Sequence, residues 1–272
     1  MNIFRILDSI QQVDGDAAGR LAHTTRRMFM NRIGSSLATV AVPTAFAAVV
    51  NKAYGATPSV TEVLNFALTL EYLEETFYFQ ANRMTNFIPA EYTLVFSQIE
   101  RHETQHVDFL KGALGSAAVD RPQFDFTYGG AFPDAWTNFM TFITISAALE
   151  DTGVRAYKGQ AGNLITAPAI LEYALQVHSV EARHASLVRR IIGHLKKDPM
   201  MKGWITQDQG FPPAVYKGAT PESNTVHAGL DAATLSGIGS ITRDNVTEAF
   251  DEPLTMEEVL AIAGPFIKKM GM

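Results

Sequence analysis

Two short stretches of this chain carry residue types that could do chemistry at a spacing that would let them do it together. They are Glu103-Thr-Gln-His106 and, 78 residues on, Glu181-Ala-Arg-His184. On a helix, a spacing of three sets two side chains side by side on one face, so each pair can grip one cation. Each pair also has a forerunner at a matching distance. Leu70-Glu71, with Tyr78 seven residues later, precedes Glu103 by 32 positions; Leu149-Glu150, with Tyr157 seven residues later, precedes Glu181 by 31. The duplication suits a site for two metal ions, with one half of the chain serving each and carboxylates bridging between them. Glu71, Glu103, His106, Glu150, Glu181 and His184 are the candidate ligands. Two divalent cations balance four carboxylates, and neutral imidazoles complete the coordination. With no cysteine in the chain, thiolate zinc, iron–sulfur clusters and disulfides are excluded, and any metal must be held by oxygen and imidazole.

A single Glu-x-x-His on a helix is common and carries little weight. What sets these two apart is their position on stripes that should be buried. One reads Tyr92, Phe96, Ile99, Glu103, His106, Leu110, Ala113; the other reads Ile170, Ala174, Val177, Glu181, His184, Val188, Ile191. Steps alternate between three and four, as on a bundle seam, yet each seam has an acid and an imidazole at its middle. An isolated carboxylate there would cost several kcal/mol, and four together would repel. Among Glu71, Glu74 and Glu75, only Glu71 has a counterpart, because Gly153 and Val154 stand where Glu74 and Glu75 would fall in the second half. Tyr78 and Tyr157 are candidates for hydrogen bonds to ligand carboxylates. His102 reads as a partly exposed neighbour. His178 reads as a satisfied core histidine, with support of the site as the alternative.

The elements that must position these groups follow from apolar periodicity. Helices are expected at about 59–82, 91–114, 134–160 and 167–196, the first opened by the capping-box pattern Ser59-x-x-Glu62 and the fourth carrying Pro168 in its first turn. Short loops join the first to the second and the third to the fourth, so each pair is an antiparallel hairpin. The stretch 115–133, with Pro122, Gly129 and Gly130, is long enough to run the length of a bundle. The expected fold is all-α: an antiparallel four-helix bundle at 57–198 with a long crossover between helices two and three, followed by a C-terminal extension at 199–272. That extension is rich in Gly, Pro, Ser and Thr until Thr255-x-x-Glu258 opens a last helix toward Lys269. It wraps the bundle or mediates contacts between copies in a homo-oligomer.

Three segments carry a family likeness. Leu64-Asn-Phe-Ala-Leu-Thr-Leu-Glu-Tyr-Leu-Glu74, Glu103-Thr-Gln-His-Val-Asp-Phe-Leu110 and Pro122-Gln-Phe-Asp-Phe126, with a fainter echo in Ala249-Phe-Asp-Glu-Pro-Leu254, resemble the ferritin-like domain family that includes desiccation-related proteins. The resemblance covers about 59–196 and implies a di-iron or di-manganese carboxylate bundle. Redox chemistry with oxygen or peroxide is the expected function, with two divalent ions as cofactors and iron placed ahead of manganese. Iron would suit oxidation of ferrous ion or a small organic substrate, and manganese would suit peroxide dismutation; oxygen and imidazole ligands accommodate both. The rival reading is a stress protein that binds metal without turning anything over.

The formal net charge of −6 gives no electrostatic footprint for nucleic acid. Residues 1–56 read as an address. Arg26-Arg27 is followed by Phe29, an uncharged run over 33–50 and the small residues Ala53-Tyr54-Gly55-Ala56, an order that resembles a twin-arginine export signal. The implied partner is the twin-arginine export machinery, and the implied location is the periplasm. The alternative is an uncleaved membrane anchor, for which the 18-residue run barely suffices. Replacing Arg26 and Arg27 together by lysine is expected to leave full-length protein in the cytoplasm on cell fractionation. Undiminished export of the double variant would refute the signal.

Overall fold

A computed structural model describes residues 58–208, 212–235 and 241–268; the expected export signal lies outside them. Six α-helices carry the described chain: α1 (Val60–Asn82), α2 (Thr93–Leu114), α3 (Phe139–Ala161), α4 (Pro168–Lys196), α5 (Arg243–Thr247) and α6 (Met256–Ala263). The one sheet among the described residues is a small antiparallel pair, β1 (Val226–His227) with β2 (Leu230–Asp231). The protein is therefore all-α, and no described helix is long and apolar enough to cross a membrane.

Three of the four long helices start where the sequence settles the free amide groups, and α2 starts after Tyr92 without a side-chain cap. Ser59 closes a reciprocal capping box with Glu62, and Pro168 takes the first turn of α4, where a missing N–H costs nothing. Helix α3 starts five residues later than the periodicity suggested. Asn138 is its N-cap, accepting from Met140 N–H at 3.0 Å. Asp134, the expected start, instead accepts from the side chains of Asn138 and Thr141 at 2.8 and 3.0 Å. The turn it organises delivers Trp136 to Phe77, 5.5 Å between ring centroids. Helix α6 does open with the Thr255–Glu258 box but ends at Ala263, short of Lys269, because Gly264 and Pro265 follow.

Cross-helix contacts give the directions. Asn82 meets Phe96 while Glu71 meets His106, so α1 and α2 run antiparallel. Tyr78 meets Glu150 while Tyr157 meets Glu71, so α1 and α3 do too. The connection between α2 and α3 tracks along α1. Asn65 holds Ala117 and Val119 near one end, Arg121 lies over the Tyr72 ring and bonds Thr76, and Phe126 and Trp136 close on Phe77 near the other. Every residue of the two apolar seams is buried, including their acids and imidazoles.

The C-terminal extension packs on α3. Leu254 donates its amide to the Arg155 carbonyl at 3.1 Å, and its own carbonyl crosses so close to Gly159 that an added Cβ would lie 1.8 Å from it. Arg155 is fully buried. It pairs with Glu222 at 2.6 Å and donates to the carbonyls of Glu252, Val215, Lys217 and Thr220. Removing one member of a buried pair strands the other. Arg155→Met is thus expected to lower unfolding free energy by about 3–5 kcal/mol, read from denaturant melts; a loss below about 1 kcal/mol would show that the strap adds little.

Candidate metal centre

The centre sits where the four long helices meet. One helical turn separates Glu103 from His106 on α2 and Glu181 from His184 on α4, so each pair projects from one face. Glu71 on α1 and Glu150 on α3 project from the opposite hairpin partners. All four glutamates are 0 % exposed and both histidines are buried. The donor atoms gather into two groups, Glu71, Glu103, His106 and Glu181 in one and Glu103, Glu150 and His184 in the other, with all atoms of a group within 4.8 Å of one another.

Glu103 belongs to both groups through different oxygens. Its Oε2 lies 3.0 Å from His106 Nδ1 and its Oε1 lies 2.9 Å from His184 Nδ1. His106 Nδ1 also faces Glu71 at 3.1 Å and Glu181 at 3.6 Å; His184 Nδ1 faces Glu150 at 3.2 Å. The tyrosines cross between hairpins: Tyr78 of α1 donates to Glu150 of α3, and Tyr157 of α3 donates to Glu71 of α1. Tyr78 also bonds Ser146 at 2.7 Å. Burial, then the neighbouring carboxylates, pushes both phenols well above their ordinary pKa, so each holds its proton as a donor.

These residues suit a cation by two independent observations. Glu103 Oε1, Glu150 Oε2, both oxygens of Glu181 and His184 Nδ1 are buried without a hydrogen bond, although Glu103 Oε1 and His184 Nδ1 are only 2.9 Å apart. Buried carboxylate oxygens that converge with too few donors are what a positive ion would satisfy. The second is a cradle. A Cβ at Gly153 would lie 2.6 Å from Glu181 Oε2, so glycine leaves the space that this carboxylate fills. The arrangement is compatible with a divalent metal site.

Without metal, protons take the place of cations. Burial alone would lower both imidazoles, but Glu71 and Glu103 raise His106 to about 12, and Glu150 and Glu103 raise His184 to about 11. Burial would raise Glu103, yet the two flanking imidazoles hold it far below the usual carboxylate range. Burial raises Glu71 to about 7 against the pull of His106. Burial and then the neighbouring carboxylates push Glu181 and Glu74 well above normal, and burial raises Glu150.

The remaining candidates lie around the centre. His178 bonds the Val154 carbonyl at 3.0 Å and stays out of the centre. Glu75 pairs with Arg121 of the crossover. Glu74 is buried beside the cluster as a fifth carboxylate, outside both donor groups. His102 is more than a neighbour, since its Nδ1 lies 2.9 Å from His184 Nε2. The signal that could have found it is its shared face with His106, one turn away. Gly153 gave a signal too, as the residue aligned with Glu74, but its meaning depends on Glu181 from another helix.

The shifted acids set a pH dependence for metal-free protein. Glu71 stands near 7 folded against 4.5 as a free side chain. A group raised by folding stabilises fully below its unfolded pKa, and that contribution is lost as pH climbs through the folded value. Glu150, Glu181 and Glu74 act in the same direction, while the histidines keep theirs in full up to 6.5 and lose it progressively from there to about 11 and 12. Metal-free protein should therefore lose stability from pH 4.5 to pH 7, by on the order of 3 kcal/mol for Glu71 alone. Urea midpoints across that range check it, and a midpoint rising steadily with pH would contradict the arrangement.

Comparison with known proteins places the chain. Neither the curated proteins nor the solved structures contain a match to it. The family profile described as a ferritin-like domain matches residues 59–194, half of the chain, from the Ser59 cap of α1 into the last turn of α4. The chain belongs to the ferritin-like domain family.

Proposed function

We propose that this protein holds two divalent ions, iron ahead of manganese, and carries out redox chemistry on oxygen or peroxide. The observation that carries the reading is Glu103, which offers one oxygen to each of two buried donor groups. Glu71, His106 and Glu181 would complete one ion's ligands, and Glu150 and His184 the other's. When bound, such a pair of ions supplies the electrons that a small oxidant takes up.

The chain's own residues prepare that chemistry. Tyr78 and Tyr157 orient Glu150 and Glu71 by donating to one oxygen of each, which turns the other oxygen toward an imidazole. His106 and His184 must give up a proton to bind, so metal uptake should release protons from both. Burial keeps bulk water from the ligands, which strengthens every charge interaction among them. That same complete burial also favours a second reading, in which metal is retained without turnover in a stress protein. Residues 1–56 add the proposal of export to the periplasm by the twin-arginine route.

Reconstitution of full-length protein with iron or manganese, followed by elemental analysis, is expected to give two ions per chain. Glu71→Ala should lose at least one of them, while Glu75→Ala should keep both. Fewer than one ion per chain in wild type would sink the metal reading. Two ions per chain with no consumption of oxygen or peroxide, with ferrous ion or small organic reductants supplied, would select the non-catalytic reading.

A further inference from the structure

The two halves of the centre are not equivalent. Behind His184 stands a second imidazole: His102 Nδ1 lies 2.9 Å from His184 Nε2, with the two ring planes 10° apart. His102 Nε2 in turn lies 2.6 Å from Gln98 Nε2, the amide nitrogen, one turn earlier on α2. The position matching His102 on α4, one residue before the Glu of its tetrad, is Val180, a side chain with no hydrogen-bonding atom.

We propose that His102 is a positioning residue for His184 and makes the Glu103–Glu150–His184 group the tighter of two unequal cation sites. The inference rests on the two-ion reading above. A neutral imidazole carries one proton, and only the bare nitrogen can bind metal. His184 turns Nδ1 toward Glu103 and Glu150, so its proton belongs on Nε2, where His102 Nδ1 accepts it. His102 then carries its own proton on Nε2, and a half-turn of the Gln98 amide brings its oxygen to the place of its nitrogen to accept that proton. The contact with His102 decides which proton His184 gives up to an ion, the one on Nδ1, and holds the ring orientation before any ion arrives. Pre-orientation removes an ordering cost from binding on that side. On the His106 side, Val180 supplies no such acceptor.

The test is a titration of Co2+ into metal-free full-length protein, followed by the absorption of the bound ion. Wild type is expected to fill in two resolved steps. His102→Phe keeps a ring of similar size and lacks the acceptor; it should weaken the tighter step by about tenfold to a hundredfold and leave the weaker step unchanged. His102→Asn places an amide oxygen near the lost Nδ1 and should recover most of the affinity. Melting temperatures of the metal-free proteins should agree, because His102 is only partly buried. Wild type that binds no Co2+ would overturn the two-ion reading and this inference with it. Two equal steps in wild type, an unchanged His102→Phe, or equal losses in the Phe and Asn variants would overturn the positioning role alone. So would weakening of both steps together with a lower melting temperature, which marks a merely structural effect.

Discussion

Five carboxylates, from Glu71, Glu74, Glu103, Glu150 and Glu181, lie within one helical core, and the rest of the molecule is arranged around neutralising them. Buried charge of one sign is costly in a medium of low polarity, and the cost is met only by opposite charge or by protons. Here the opposite charge comes first from the two imidazoles, which hold protons far above their ordinary range. A pair of divalent ions would do the same task more completely, since each brings two charges and takes several oxygens. Affinity for metal and instability of the empty core are thus one property seen from two sides.

That constraint explains the neighbours. An acid cluster of this density needs a scaffold that does not relax away from it, and the apolar ends of the bundle provide one. Phe77 stacks on Phe142 at 4.8 Å and is flanked by Phe126 and Trp136 from the crossover. The tyrosines join these layers to the centre: Phe77 touches Tyr78, whose hydroxyl reaches Glu150. Close packing resists the outward movement that repulsion among the acids would otherwise cause.

Helix α3 serves two clusters at once. Glu150 points to the centre, while Asp151, next in sequence, is gripped by Arg189 of α4 and by Tyr216 of the extension. One turn further on, Arg155 gathers four carbonyls and a carboxylate of the extension. The extension is thereby tied to the helix that supplies a candidate ligand. Gly159 is the complement of that arrangement, because only a residue without Cβ admits the Leu254 carbonyl.

What the amino-acid sequence determined by itself was everything that local spacing encodes. The Glu-x-x-His pairs, their seams, the Ser59 and Thr255 caps and the long crossover are all legible, because helix periodicity and capping depend on residues three or four apart. The start of α3 was not, since Asp134 and Asn138 are both good caps and the choice between them hangs on Trp136 finding Phe77, 59 residues earlier. Nor was the work of His102, whose partner is 82 residues away, or the burial of Glu74, which no symmetry mate announces. The tertiary structure alone decided that Glu103 divides its oxygens between two imidazoles from different hairpins. It alone decided that Gly153 makes room for Glu181. These are relations between helices, set by how the hairpins pack, and no spacing along one helix records them.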